Sequence, residues 1–427
     1  MFSSRHARSF GVACACTFLA VALLSSVAFG KVTLTFFPHG APAMYDAHDL
    51  ENAVKRFEAL NPDIEIEIIK GASGNWDYME QVLLRLASGL SVDIITPQPH
   101  WFLSTIDHVA DLTPYMQRDG VATSDFVPGT IDAYMIDGKI TGLPLAAVLR
   151  GSMYNARMLD EAGYNPPAPG EWTWDTVRDI GQKLTTDRDG DGTPEVYGVD
   201  AGGRVRALIL FPLATQAGGM FFDTFTDPRE SLIDSPAVHT ALEYFVSFYQ
   251  TNQTSPSARV LTNTAAYSMD AFLMMKGDIE RQLGHEDVVF IPAPRGPVRG
   301  GFQQGAQGLQ MMSSTEHPEE AWRFIKYMAT TVAEVEERYR LGQREPSALV
   351  AALPLYEDLS DEITSFDNWM KIVSDPDNTP RYSIRSRNVE PLIEQMLTRV
   401  ANNELPLESA IAELDRLVQA ELDAAAQ

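Results

Sequence analysis

Apolar residues recur at two different periods along this chain, and the switches between them predict its elements. The run KVTLTFF from Lys31 to Phe37 is β-branched and aromatic, which predicts a strand. From Asp46 to Leu60, Leu50, Val54, Phe57 and Leu60 share one helical face, and Asn61-Pro62 closes that helix. Ile64, Ile66 and Ile68 alternate with acidic residues, predicting a strand with one solvated side. Asp77 to Ser88 predicts a second helix with Val82, Leu83 and Leu86 inward and Gly89 at its end. Val92 to Ile95 predicts a third, short strand. Helical spacing returns in Trp174–Leu184, Ala237–Tyr249, Pro318–Thr330 and Leu407–Leu422. Strand–helix–strand–helix–strand implies an α/β fold with parallel pairing and helical crossovers. Such sheets bind ligands in the loops beyond the carboxyl ends of their strands, here Pro38–Tyr45 and Pro97–Trp101.

The first thirty residues break this alternation. Arg5, His6 and Arg8 precede an apolar stretch from Phe10 to Val27, and the small residues Ser26, Ala28 and Gly30 suit a signal peptidase. A membrane anchor would lack a basic stop-transfer flank, and Cys14 and Cys16 have no leucine where a lipobox needs one. We read residues 1–30 as a cleaved export signal. Both cysteines fall inside it, so the exported chain folds without disulfides and without thiol chemistry. Its length of 427 residues fits two or three domains, and 45% hydrophobic residues suffice for a sizeable core. The 58 acidic residues outweigh 33 basic ones by 25 charges, which argues against nucleic acid and anionic membrane as partners.

Catalytic signatures are missing. The chain has no GxGxxG after its first strand, no GxxxxGK[ST], no GxSxG and no HExxH. A glycosidase-type carboxylate pair stays open as a rival reading, because acids are plentiful. Asp187, Asp189, Asp191 and Gly192 match the first half of an EF-hand loop, with Glu195 at its ninth position and Gly198 where the bidentate acid belongs. That stretch reads either as a structural calcium site or as a solvated acidic turn.

The order of motifs resembles the extracellular solute-binding proteins of ATP-driven (ABC) importers, in the carbohydrate-binding branch related to maltose-binding protein. RFEALNPDIEIEI (Arg56 to Ile68) and LLRLASGLSVDII (Leu83 to Ile95) are similar to the family's opening, with Val92 where proline is usual. DGKITGLPLAAVLRGSMYN (Asp137 to Asn155) resembles the first crossing between lobes. YNPPAPGEWTWDTV (Tyr164 to Val177), DRDGDGTPEVYG (Asp187 to Gly198), FIPAPRGP (Phe290 to Pro297) and HPEEAWRFIKYM (His317 to Met328) follow in the family's order. The resemblance implies a two-lobed periplasmic-binding-protein fold, each lobe a mostly parallel sheet flanked by helices, with the ligand cleft between them. Residues 31–145 and 300–344 would form lobe one; 146–299 and 345–427, with the C-terminal helices, would form lobe two. It implies a monomer outside the cytoplasmic membrane that captures a sugar or oligosaccharide, without catalysis, and delivers it to a permease. A periplasmic sensor subunit is a further alternative.

The resemblance also implies site residues. Sugar rings are held by aromatic platforms and planar polar side chains. Trp76 in GNWDY and Trp101 in TPQPHWFL are the expected platforms, with His100 where relatives often carry an acid. His39 and Tyr45 follow the first strand. Arg150 and Arg206 would come from lobe two, and the three arginines Arg150, Arg206 and Arg344 keep a phosphorylated or anionic ligand open. Asp278 falls where relatives carry a tryptophan-bearing loop, replaced here by Ile279. Gln303, Gln304 and Gln307 lie in a Gly-rich turn, and one of them is expected to reach ligand. Trp172, Trp174 and Trp322 are read as packing residues.

Overall fold

The alternating IEIEI run folds as its pattern requires: Ile64 and Ile66 are buried while Glu65 and Glu67 face water. The computed structural model describes residues 31–41, 49–97, 99–202, 205–272, 276–340, 346–361 and 363–426; within these, the side chains of residues 75, 76, 99–102, 104, 272, 277, 278, 339 and 359 are not described. The export signal with both cysteines, Tyr45 and Arg344 therefore lie outside the described residues, as do the side chains of Trp76, His100, Trp101 and Asp278.

The strands are β1 (Val32–Phe37), β2 (Ile64–Ile68), β3 (Ile94–Ile95), β4 (Met135–Ile136), β5 (Lys139–Ile140), β6 (Leu143–Val148), β7 (Arg150–Asn155), β8 (Tyr197–Asp200), β9 (Ala265–Phe272), β10 (Val288–Ile291), β11 (Gln303–Met311) and β12 (Thr379–Pro380). One sheet runs β12-β11-β3-β1-β2 with β6 also on β11; a second runs β10-β7-β9-β8; β4 and β5 form a hairpin. The third predicted strand is shorter than expected. Asp93 leaves the regular ladder because its carboxylate accepts the Thr35 amide at 2.7 Å, while its own amide donates to Thr35.

Strand directions add a detail to the expected mostly parallel sheets. β1 is parallel to β2 and β3, but in the second sheet β7 is antiparallel to both β9 and β10. Since β8 is parallel to β9, β7 alone opposes three strands of one direction. In the first sheet β11 is likewise antiparallel to β3 and β6, with β12 parallel beside it. β7 and β11 are the strands that have just arrived from the other lobe. They enter at the cleft, where the other strands end, so they must run backwards.

The molecule is therefore two-lobed, mixed α/β. The chain passes between lobes at Leu149, between Gly300 and Gln303, and between Leu349 and Tyr356. Each lobe has its own core. Leu34, Phe36, Phe57, Ile94, Trp322 and Phe324 pack in the first, where Phe36 and Phe57 both meet Phe324 edge-on. Trp172, Trp174, Phe211, Tyr244 and the C-terminal helix Leu407–Ala425 pack in the second. A smaller cluster joins Ala147 and Leu149 to Met153, Tyr356 and Trp369 across the crossings. Trp172, Trp174 and Trp322 are all buried, as fold residues should be.

An ionic knot lies inside the first lobe. Arg56 from helix Leu50–Leu60 grips Glu334 with two bonds of 2.7 and 2.8 Å, and Tyr327 donates to the same carboxylate at 2.6 Å. Arg338, wholly buried, stands 3.5 Å from Glu334 and donates to the Met328 carbonyl. Glu334 and its hydrogen bonds hold the Arg56 guanidinium above its ordinary pKa, while burial pushes that of Arg338 down. At the cleft mouth, Arg387 of the second lobe donates to Glu80 of helix Asn75–Ala87 at 2.9 Å.

Candidate functional site

The ends of β1 and β3 meet at His39. Its amide donates to the Thr96 hydroxyl at 2.8 Å, and its Nδ1 accepts the Ala41 amide at 3.1 Å. Accepting at Nδ1 places the imidazole proton on Nε2. The ring lies 5.0 Å from that of Tyr78, whose hydroxyl donates to the Phe37 carbonyl and accepts the Thr96 amide. Burial holds the Tyr78 phenol well above its ordinary pKa, so it stays neutral. Gly40 permits the close approach of the next loop, since a Cβ there would stand 2.1 Å from the Gly71 carbonyl oxygen. The first lobe thus offers a neutral, hydrogen-bonded wall.

The second lobe offers charge. Asp270 sits near the carboxyl end of β9, with its side chain only 7% exposed. Arg150, the first residue of β7, donates to one Asp270 oxygen at 2.6 Å. Arg206 lies 3.6 Å from the other oxygen and is more open, at 37%. It precedes helix Ala207–Gln216, whose first amide donates to Glu394 at 3.2 Å. Arg381, just past β12, stands 3.8 Å from Glu390. Burial pushes the Arg381 guanidinium below its ordinary value; Glu390 and Asp270 pull it up, and Arg150 and Arg206 push it further down. Arg150 and Arg206 thus share one carboxylate, and Arg381 faces another.

Sequence reasoning reached Arg206 and named Arg150 but missed Asp270, Glu390, Glu394 and Arg381. One signal for Asp270 was available: an acid inside the otherwise apolar strand AAYSMDAF needs a partner. Of the glutamines, Gln303 is 1% exposed, and neither of its amide atoms has a hydrogen-bond partner among the described residues. Gln304 is fully buried, and its amide bonds Arg150 and Asn378. Gln307 is buried as well. Ile279 fills the small cluster at the crossings.

The acidic loop lies away from these residues. Asp187, Asp189 and Glu195 each bring a carboxylate oxygen within 4.8 Å of the others, all exposed. Asp191 is outside this group, and its carboxylate accepts the Thr193 amide at 2.7 Å. Asp187 accepts from Gly190 and Gly192, both at positive φ, and Glu195 accepts from Arg188. Oxygen donors alone suit a hard cation, which would need water to complete its usual six to eight ligands.

The sequence profile described as bacterial extracellular solute-binding protein matches residues 46–335. A binding protein of Brucella abortus is 23% identical over 329 residues, 72% of this chain and 74% of its own. A lactose-binding protein of Rhizobium radiobacter is 25% identical over 234 residues, 52% of this chain and 50% of its own. The crystal structure of a cyclic α-maltosyl-1,6-maltose binding protein from Arthrobacter globiformis superposes with a TM-score of 0.75 at 19% identity, covering 92% of this chain and all of that one.

Proposed function

This chain belongs to the bacterial extracellular solute-binding protein family, and we propose that it captures a neutral sugar or oligosaccharide for an ABC importer. The observation that carries this reading is the Arg150–Asp270–Arg206 group at the carboxyl end of β9, beside the crossing between lobes. A carboxylate already flanked by guanidiniums accepts from ligand hydroxyls, and each guanidinium keeps N–H groups to donate to them. Vicinal hydroxyls match that alternation. A phosphate or carboxylate ligand fits less well, because Asp270 and Glu390 already engage the three arginines. The lactose-binding relative and the maltosyl-maltose-binding structural neighbour point the same way.

Trp76, Trp101, His100 and Tyr45 are the proposed platforms and polar contacts of the first lobe, with His39 held by Thr96 at the end of β1. Asp278 and Gln303 remain proposed contacts from the second lobe and the crossing. Ligand touching both lobes stabilises the closed arrangement by its differential affinity for it, and the closed form is what a permease would read. Family membership places the protein outside the cytoplasm, and no helix among the described residues is long and apolar enough to cross a membrane. A calcium ion at Asp187, Asp189 and Glu195 would be structural, tying down an exposed loop.

Calorimetric titration with lactose, maltose, mannobiose and glucose 6-phosphate tests the reading. Binding of a neutral sugar that Arg150→Ala weakens by tenfold or more, about 1.4 kcal/mol, is the expected result. Binding of the phosphate alone, or sugar binding indifferent to Arg150→Ala, would overturn it.

A further inference from the structure

The backbone ladder between β6 and β11 ends at Val148, which pairs with Gly305. Two residues later the chain is in the other sheet, where Arg150 pairs with Phe272. Between these two ladders a side chain stands in for a strand. The Gln304 Oε1 accepts the Arg150 amide at 2.7 Å, and its Nε2 donates to the Arg150 carbonyl at 3.1 Å. These are the two bonds that the facing residue of an antiparallel neighbouring strand would make. The second Nε2 hydrogen goes to Asn378 Oδ1 at 3.0 Å, and that oxygen also accepts the Phe302 amide. Asn378 in turn donates to the Ile372 carbonyl at 2.6 Å, in a helix of the second lobe. One buried amide therefore joins the outgoing strand, the returning strand and the Asn378 segment.

We propose that Gln304 is a positioning residue: its amide is the pivot of lobe closure and holds Arg150 on Asp270 as the lobes turn. The proposal rests on the reading of Arg150 and Asp270 as ligand contacts. It gives Gln304 a role other than touching ligand. A side-chain amide suits a pivot because its torsions turn while its hydrogen bonds persist, whereas a regular ladder would splint the two sheets into one body. Arg150 would then keep its place relative to the second sheet through Phe272, and relative to the first through Gln304.

The test uses ligand-free protein, so it does not depend on sugar binding. Gln304→Met keeps the side chain's length and apolar packing but removes all three bonds. Amide hydrogen exchange at Arg150 is expected to rise about tenfold or more, since one net hydrogen bond is worth roughly that factor. The two cores should keep wild-type protection, and small-angle scattering should show a broader range of lobe separations. Asn378→Ala leaves the Gln304–Arg150 pair intact. It should broaden the scattering while Arg150 stays protected. Unchanged exchange at Arg150 in Gln304→Met, or faster exchange spread evenly over both cores, would overturn the proposal. If Gln304→Met behaves as expected but Arg150→Ala binds maltose normally, the pivot stands and the sugar contact fails.

Discussion

Two arginine–carboxylate–arginine groups in this molecule use the same chemistry in opposite ways. In the first lobe Glu334 and Arg338 are closed in, at 1% and 0% exposed, while Arg56 is 26% exposed. In the second lobe Arg150, Asp270 and Arg206 stand open on the side of Arg206. Around Glu334, the Tyr327 hydroxyl and the Met328 carbonyl take up polar groups that water cannot reach. Around Asp270 water or ligand hydroxyls can do so. The difference shows that one interaction can serve a scaffold when desolvated and, as we propose for Asp270, a binding floor when left unfinished.

The sharpest way to break this comparison is Glu334→Ala. It strands a fully buried guanidinium, and losing one partner of a buried pair costs about 3–5 kcal/mol. Urea denaturation should show that loss while sugar affinity stays near wild type. A large loss of affinity with stability intact would reverse the roles assigned to the two groups. Asp270→Asn is the mirror experiment. Affinity should fall about tenfold, since a hydrogen bond to a charged group is worth roughly 1.5–3 kcal/mol. Stability should fall less than for Glu334→Ala, because Arg206 can keep water.

A smaller effect is expected where exposure goes further. Arg387 and Glu80 meet across the cleft mouth with both side chains more than half exposed. Arg387→Ala should weaken sugar binding by about fivefold at most, and salt should erase even that. Titrations at low and high ionic strength check it. The smallest effect belongs to the exposed acidic loop around Asp187, Asp189 and Glu195. Millimolar calcium should raise the melting temperature by no more than about 2–4 °C and leave sugar preference unchanged. An identical melt in calcium and in EDTA removes the ion.

Much of the fold could be read from apolar spacing. The helix over Pro318–Thr330 begins and ends where the pattern predicts, and Trp174–Leu184 does too. Both carry one continuous apolar face against a core, which is what periodicity reports. The reversal of β7 and β11 was not legible, because strand direction depends on where the chain crosses, and no local pattern encodes that. The candidate site was legible only in part. Loops after β1 and β3 followed from the rule of carboxyl ends. Asp270 and Arg381 come from stretches 120 and 231 residues beyond Arg150, and only the folded chain brings them together. Gln304 was misleading for a different reason. A glutamine in a Gly-rich turn looks free to reach out, yet its amide replaces a missing piece of ladder.

Val32 packs against the first core, whereas Ile411, Leu414 and Val418 of the C-terminal helix pack in the second. Val32 therefore rides on one lobe and helix Leu407–Ala425 on the other. A fluorescent donor near the first and an acceptor near the second would be carried together or apart by every opening and closing. The route of the chain thus supplies the geometry of an optical sensor.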